Sequence, residues 1–240
     1  MNDKIKTAVV TGASSGIGFN VAMMLVKEGY DVYGIGRNFT GVKDEIEKED
    51  RFHSVQLDLL NIDEITAFIT ALKLKHKVSI LVNSAGVAYY GPFEDIKVQE
   101  ISEMVNTNLL APMVITKVLM KDIKESQGYI INISSVTAEM NNNTHGVSYG
   151  ATKAGLTSFS RSLFSEVRKY GVKVINVEPD LTDTALYRNA DFKTSEVFDE
   201  RLLSLDVAEC VKQVINMRDG PVLTDITVRP QKNKIVRKNR

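Results

Sequence analysis

The chain has 240 residues, 43% hydrophobic and 25% charged, with a formal net charge of zero. That balance fits a globular α/β body of one large domain or two small ones, and it offers no charge surplus for nucleic acid or an acidic membrane. The single cysteine, Cys210, excludes an internal disulfide, and His53, His76 and His145 are too scattered for a metal motif. Cys210 lies in an apolar helical stretch and reads as a buried structural thiol. The N-terminus is charged and then enters an apolar strand at once, unlike a secretory signal, and no apolar run nears the ~18 residues of a membrane helix. The cytoplasm is the expected location.

In chain order, strands are predicted at Thr7–Thr11, Asp31–Ile35, Ser54–Leu57, Ile80–Asn83, Tyr129–Ser134, Val172–Val177 and Leu223–Val228. Most are separated by helical periodicity; Leu156, Phe159, Leu163 and Val167, for example, share one helical face. The strands are continuous apolar runs (AVV, ILV, IINI), as expected of a parallel sheet buried on both faces. No linker, repeat or low-complexity tract divides the chain, so a single domain over 1–240 is expected. The polar stretch Leu186–Ser204 follows the sixth strand, at the sheet edge where ligands sit in doubly wound folds, and reads equally as a substrate lid or an ordinary surface loop. The last residues, 231–240, carry five basic and no acidic side chains and read as a solvated, partly disordered tail, or else as a contact with a neighbouring subunit.

Three local patterns carry chemistry. After the first strand, Thr11-Gly12-Ala13-Ser14-Ser15-Gly16-Ile17-Gly18 opens a helix running to about Glu28. Glycines let the backbone approach a phosphate, and a helix N-terminus offers free N–H groups to a pyrophosphate. The second strand ends Gly34-Ile35-Gly36-Arg37-Asn38, with Arg37 where a carboxylate would bind the ribose 2′-hydroxyl of NAD. A guanidinium there suits a 2′-phosphate, so NADP(H) is the expected cofactor. Further on, Tyr149 and Lys153 lie one turn apart on a helix face. A free tyrosine is too weak an acid for proton transfer at neutral pH, and a nearby ammonium is expected to lower its pKa.

These patterns resemble the short-chain dehydrogenase/reductase family along nearly the whole chain. The glycine turn Gly12, Ser14, Ser15, Gly16, Ile17 and Gly18 matches the family's cofactor turn, with Arg37 and Asn38 after the second strand. Asp58, with Leu59, resembles its adenine contact, and Asn83-Ser84-Ala85-Gly86 its Asn-Asn-Ala-Gly signature, with Ser84 in place of the second Asn. Asn108, Ser135, Tyr149 and Lys153 follow the order of its catalytic set. The resemblance implies a doubly wound, Rossmann-type parallel sheet of about seven strands with helices on both faces. It also implies that NADP(H) is held by these residues together with Asn83, Ala85, Gly86, Tyr149, Lys153, Pro179, Thr182 and Thr184. Hydride would move between the nicotinamide and a small-molecule carbonyl or secondary alcohol, with Tyr149 as acid and base, Lys153 tuning it and bonding the nicotinamide ribose, and Ser135 steadying the oxygen.

Family spacing favours Ser135 over its neighbour Ser134. In the family, the main-chain carbonyl of Asn108 holds a water behind the lysine, and Pro112, lacking an N–H, leaves that carbonyl without its helical donor. A kinked helix is therefore expected there. Three departures stand out: Asp180 replaces the family's glycine after Pro179, the loop Thr137–Ser148 with Asn141-Asn142-Asn143 is one residue longer than in common members, and Thr227-Val228-Arg229-Pro230-Gln231 replaces an Asp-Gly-Gly ending. That ending resembles a branch acting on small hydroxy acids and carbonyls more than the acyl-carrier-protein reductases. The latter, hydroxysteroid reductases, and a non-catalytic NADP-binding sensor or structural subunit remain alternatives. A homodimer or homotetramer through the helices of Asn108 and Tyr149 is implied.

Overall fold

The computed structural model describes residues 6–140 and 142–238. Its centre is a seven-stranded parallel sheet in the order β3-β2-β1-β4-β5-β6-β8. The strands are β1 Thr7–Thr11, β2 Asp31–Gly36, β3 Phe52–Gln56, β4 Val78–Asn83, β5 Tyr129–Ile133, β6 Lys173–Pro179 and β8 Asp225–Val228. Each predicted strand is present, with ends shifted by a residue or two. Seven principal helical segments accompany the strands: α1 Gly16–Lys27, the short α2 Lys43–Ile46, α3 Ile62–Lys75, α4 Val98–Val105, α5 Ala111–Ser126, α6 Val147–Val167 and α7 Ser204–Ile215.

The sheet separates two cores. On one face Val21, Ala22 and Leu25 of α1 and Val207 and Val211 of α7 pack over Ala8, Val10 and Val82. On the other, Ile65 and Ile69 of α3 and Ile115 and Leu119 of α5 pack over Val9, Leu81 and Ile130. Alternate residues of one strand therefore serve opposite cores, which is why these strands read as unbroken apolar runs. The strand order reverses direction between β1 and β4, and the crevice outside their C-terminal ends is where this architecture places a ligand.

Beneath that crevice the sheet is not apolar. Asn83, Asn132 and Asn176 stand side by side in register across β4, β5 and β6, and all three are buried. Asn83 donates to Asn132 at 2.7 Å, Asn132 to Ser160 of α6 at 2.8 Å, and Asn176 to Glu178 at 2.7 Å. The row ties α6 to the sheet by hydrogen bonds that a hydrophobic contact could not orient.

Two sequence expectations are corrected. The end of the chain, as far as it is described, is solvent-exposed but ordered: β9, Ile235–Arg237, pairs antiparallel with β7, Phe192–Thr194, inside the stretch 186–204. Arg240, which the tail reading included, lies outside the described residues. Cys210 is half-buried on α7 instead of fully enclosed, because α7 turns Val207, Val211 and Val214 to the core.

Candidate active site

Gly12 leaves β1 with φ +69°, and a Cβ there would lie 2.7 Å from the Ala85 backbone, so only glycine allows the exits of β1 and β4 to touch. A Cβ on Gly18 would collide with the carbonyl of Gly12, which keeps α1 pressed against the turn. Thr11 joins the same two exits: its hydroxyl oxygen accepts from the backbone N–H groups of Ser84 at 3.1 Å and Ala85 at 3.2 Å. No side chain caps the N-terminus of α1, and its first turn holds no acidic residue. Its N–H groups and positive dipole end therefore face the crevice uncontested.

A cleft, partly open to solvent, runs along this edge. The predicted residues Gly12, Ser14, Ser15, Gly16, Ile17, Gly18, Arg37, Asp58, Leu59, Ala85, Gly86, Ser135, Tyr149, Pro179, Thr182 and Thr184 all line it. Two others do not. Asn38 accepts from the Thr40 N–H at 2.8 Å and builds a turn, while the Asn83 side chain is spent in the buried amide row. Their sequence neighbours Arg37 and Ser84 line the cleft.

Arg37 projects from the end of β2 with its side chain 56% exposed, resting 3.8 Å from Glu103 of α4. A guanidinium so lightly held can turn to an anion in the cleft. Ser14 stands across from it, since a Cβ on Gly36 would meet the Ser14 hydroxyl at 2.8 Å. Residues not singled out from sequence also line the cleft, among them Ser84, Thr107, Tyr187 and Arg188. The Ser84 hydroxyl is buried there without a hydrogen-bond partner among the described residues. An uncapped helix end, a glycine cradle, an orphaned hydroxyl and a lightly held guanidinium together fit a phosphorylated dinucleotide.

At the far end of the cleft, β5 delivers Ser134 and Ser135, and α6 delivers Tyr149 and Lys153. Ser134 is structural: its hydroxyl donates to the Lys153 carbonyl at 3.0 Å and lies 2.9 Å from Thr157. Ser135 accepts from the Thr137 N–H at 3.2 Å, and its hydroxyl also meets the Tyr149 phenol. Lys153 is buried behind Tyr149, its ammonium donating to the Ile133 carbonyl at 2.8 Å and lying 5.8 Å from the Tyr149 ring centre. A Cβ on cleft-lining Gly86 would sit 3.7 Å from that ammonium nitrogen, so Lys153 reaches up to the cleft wall.

Asn108 is fully buried in a π turn, Asn106–Leu110, that joins α4 to α5. Its side chain is committed to exchanging 2.9 Å bonds with both backbone groups of Val87 and donating to Thr152 at 3.1 Å. The turn is wide because Pro112 cannot donate, and the Ala111 N–H reaches back to Asn106 instead.

The expected electrostatics of the tyrosine are corrected. Burial pushes the Tyr149 phenol well above its ordinary value, nearby Tyr187 adds to the rise, and a hydrogen bond from Ser135 opposes it. Burial also lowers Lys153 to about 8. Taking either ion from water outweighs what the pair gains from one another, so the protein alone holds Tyr149 as a phenol. Asp180, where the family has glycine, is not among the described residues with positive φ. Its carboxylate instead accepts from Arg229 at 2.9 Å, from Asn233 at 3.3 Å and from Leu181 N–H at 2.8 Å.

Known proteins with this arrangement are numerous. The sequence model described as short chain dehydrogenase matches residues 6–194. An uncharacterized oxidoreductase of Staphylococcus epidermidis is 30% identical over 234 residues, covering 95% of this chain and 98% of that protein. The 3-oxoacyl-[acyl-carrier-protein] reductase FabG of Buchnera aphidicola is 38% identical over 188 residues, 77% of this chain and 76% of the relative. Among solved structures, a metagenomic short-chain oxidoreductase in complex with NADP superposes with a TM-score of 0.79 at 30% identity, covering 94% of this chain and 97% of that one.

Proposed function

The chain belongs to the short-chain dehydrogenase/reductase family of oxidoreductases, and from that premise we propose that it is an NADP(H)-dependent enzyme acting on a small-molecule carbonyl or secondary alcohol, with Tyr149 as its acid and base. The observation that carries this is the meeting of Ser135, Tyr149 and Lys153 at one end of a cleft whose other end holds the glycine turn and Arg37.

The bound dihydronicotinamide would supply the hydride. The residues of this chain do the rest. Arg37 and Ser14 would hold the 2′-phosphate, and the N-terminus of α1 would hold the pyrophosphate. Ser135 donates a hydrogen bond to the carbonyl oxygen, and Tyr149 gives that oxygen its proton. Lys153, buried 5.8 Å from the ring, stabilises the phenolate that this transfer leaves. A tyrosine held as phenol is poised for the reductive direction.

NADPH absorbance followed against a panel of ketones, aldehydes and 3-oxoacyl thioesters, repeated with NADH, tests the reading. Consumption of NADPH in preference to NADH is expected; tight NADPH binding with no turnover of any carbonyl would favour the sensor. A thioester substrate is the second reading, on the likeness to the Buchnera reductase. We also propose a homodimer or homotetramer, supported by the exposed Val98, Val105 and Leu110 along the α4–α5 segment and checked by light scattering.

A further inference from the structure

The segment following β8 crosses the stretch 186–204 and is bonded to it at several points. Arg229 and Asn233 hold Asp180 at the cleft wall. Lys232 pairs with Asp199 at 2.8 Å, and its N–H donates to the Asp199 carbonyl at 2.7 Å. β9 then pairs with β7, and the chain reaches Lys238. The Lys238 ammonium donates to the carbonyls of Tyr187 at 2.8 Å, Arg188 at 3.2 Å and Ala190 at 2.8 Å. These are the carbonyls at the end of the 3₁₀ turn Ala185–Asn189, where a helix presents its negative pole.

What that turn carries is the reason this matters. Tyr187 lines the cleft, and its ring packs 5.3 Å from Phe192 of β7 and 6.2 Å from Tyr90. Tyr90 in turn lies 5.7 Å from the Tyr149 ring. An unbroken aromatic contact therefore runs from the strand that β9 pairs with to the tyrosine at the reaction centre. The position of Tyr187 depends on a short 3₁₀ turn, a kind of element with few bonds of its own. One ammonium bound to two of its carbonyls and to that of the capping Ala190 restrains its end.

We propose that Lys238 is a positioning residue: as the buckle of a C-terminal strap, it fixes the turn that sets Tyr187 and so shapes the substrate side of the cleft. The kinetic part of this rests on the oxidoreductase reading above; the structural part does not.

The test uses full-length K238M, K238R and V236P, the last interrupting the β7–β9 ladder without touching the lysine. In K238M, amide hydrogen exchange over 185–194 is expected to rise roughly tenfold while 147–167 stays at the wild-type rate. KM for the best carbonyl of the panel is expected to rise about tenfold, with NADPH affinity within about twofold of wild type. V236P is expected to act in the same way, and K238R, which keeps a donor, to return both readings toward wild type. Wild-type exchange over 185–194 in K238M, unchanged KM despite faster exchange, or a K238R indistinguishable from K238M would each overturn the proposal. If the wild-type protein turns over no carbonyl, the oxidoreductase reading fails and the exchange results alone decide the strap.

Discussion

At the scale of the residue, Lys153 carries the most consequence. An ammonium normally titrating at 10.5 and lowered to about 8 is destabilised by burial. The folded form binds that proton less tightly than the unfolded chain, so between pH 8 and 10.5 unfolding takes up a proton and wild-type stability rises with pH. Lys153→Met should therefore be more stable than wild type at pH 7, by up to ~3 kcal/mol, with the gain shrinking as pH climbs through that window. Urea unfolding at pH 7 and pH 10 checks both sign and trend. The same titration should appear in catalysis: kcat/KM for reduction holds below about pH 8 and falls above it as the ammonium is lost, whereas Lys153→Arg keeps its charge and moves that limb upward. At the other end of the cleft, Arg37→Asp should raise KM for NADPH by roughly 10- to 100-fold, the value of one or two charge-assisted bonds, while leaving NADH use unharmed. Arg37, Tyr149 and Lys153 were legible in sequence because their spacing is imposed by a strand end and a helix turn. The direction of the tyrosine's pKa was not, because burial is decided by elements far along the chain.

At the scale of the element, the π turn and the amide row are what hold those residues. Pro112→Ala would supply the missing N–H and allow the Asn106–Leu110 turn to tighten into a regular helix. Asn108 would then leave its bonds to Val87 and Thr152, and kcat should fall roughly 10- to 100-fold for a displacement of about 1 Å with NADPH affinity preserved. Asn132→Ala should cost about 1–3 kcal/mol in unfolding free energy, because it strands Asn83 and Ser160 inside the protein. The inner strands β1, β4, β5 and β6 were readable because each carries an apolar run with a fixed place in the alternation. β7 and β9 were not: FKT and IVR are short and mostly exposed, and they become strands only by pairing with one another across the chain. That pairing is why a basic tail and a polar loop, each unremarkable alone, proved to be one structure.

At the scale of the molecule, the glycine turn, Arg37 and the β4 exit come from one part of the chain and Ser135, Tyr149 and Thr184 from another. A ligand touching all of them bridges both halves of the sheet. Saturating NADPH should therefore raise the melting temperature, by roughly 5–10 °C at a hundred times its Kd, and NADH at equal concentration should raise it less. The central claim is that this cleft performs proton-coupled hydride transfer, and the most direct measurement compares Tyr149→Phe with wild type in two assays on the same preparation, NADPH binding by fluorescence and NADPH oxidation with the best carbonyl of the panel. The account predicts binding within about twofold of wild type and turnover reduced by roughly 100-fold or more. A phenylalanine variant that binds NADPH and still reduces the carbonyl at a wild-type rate would contradict it.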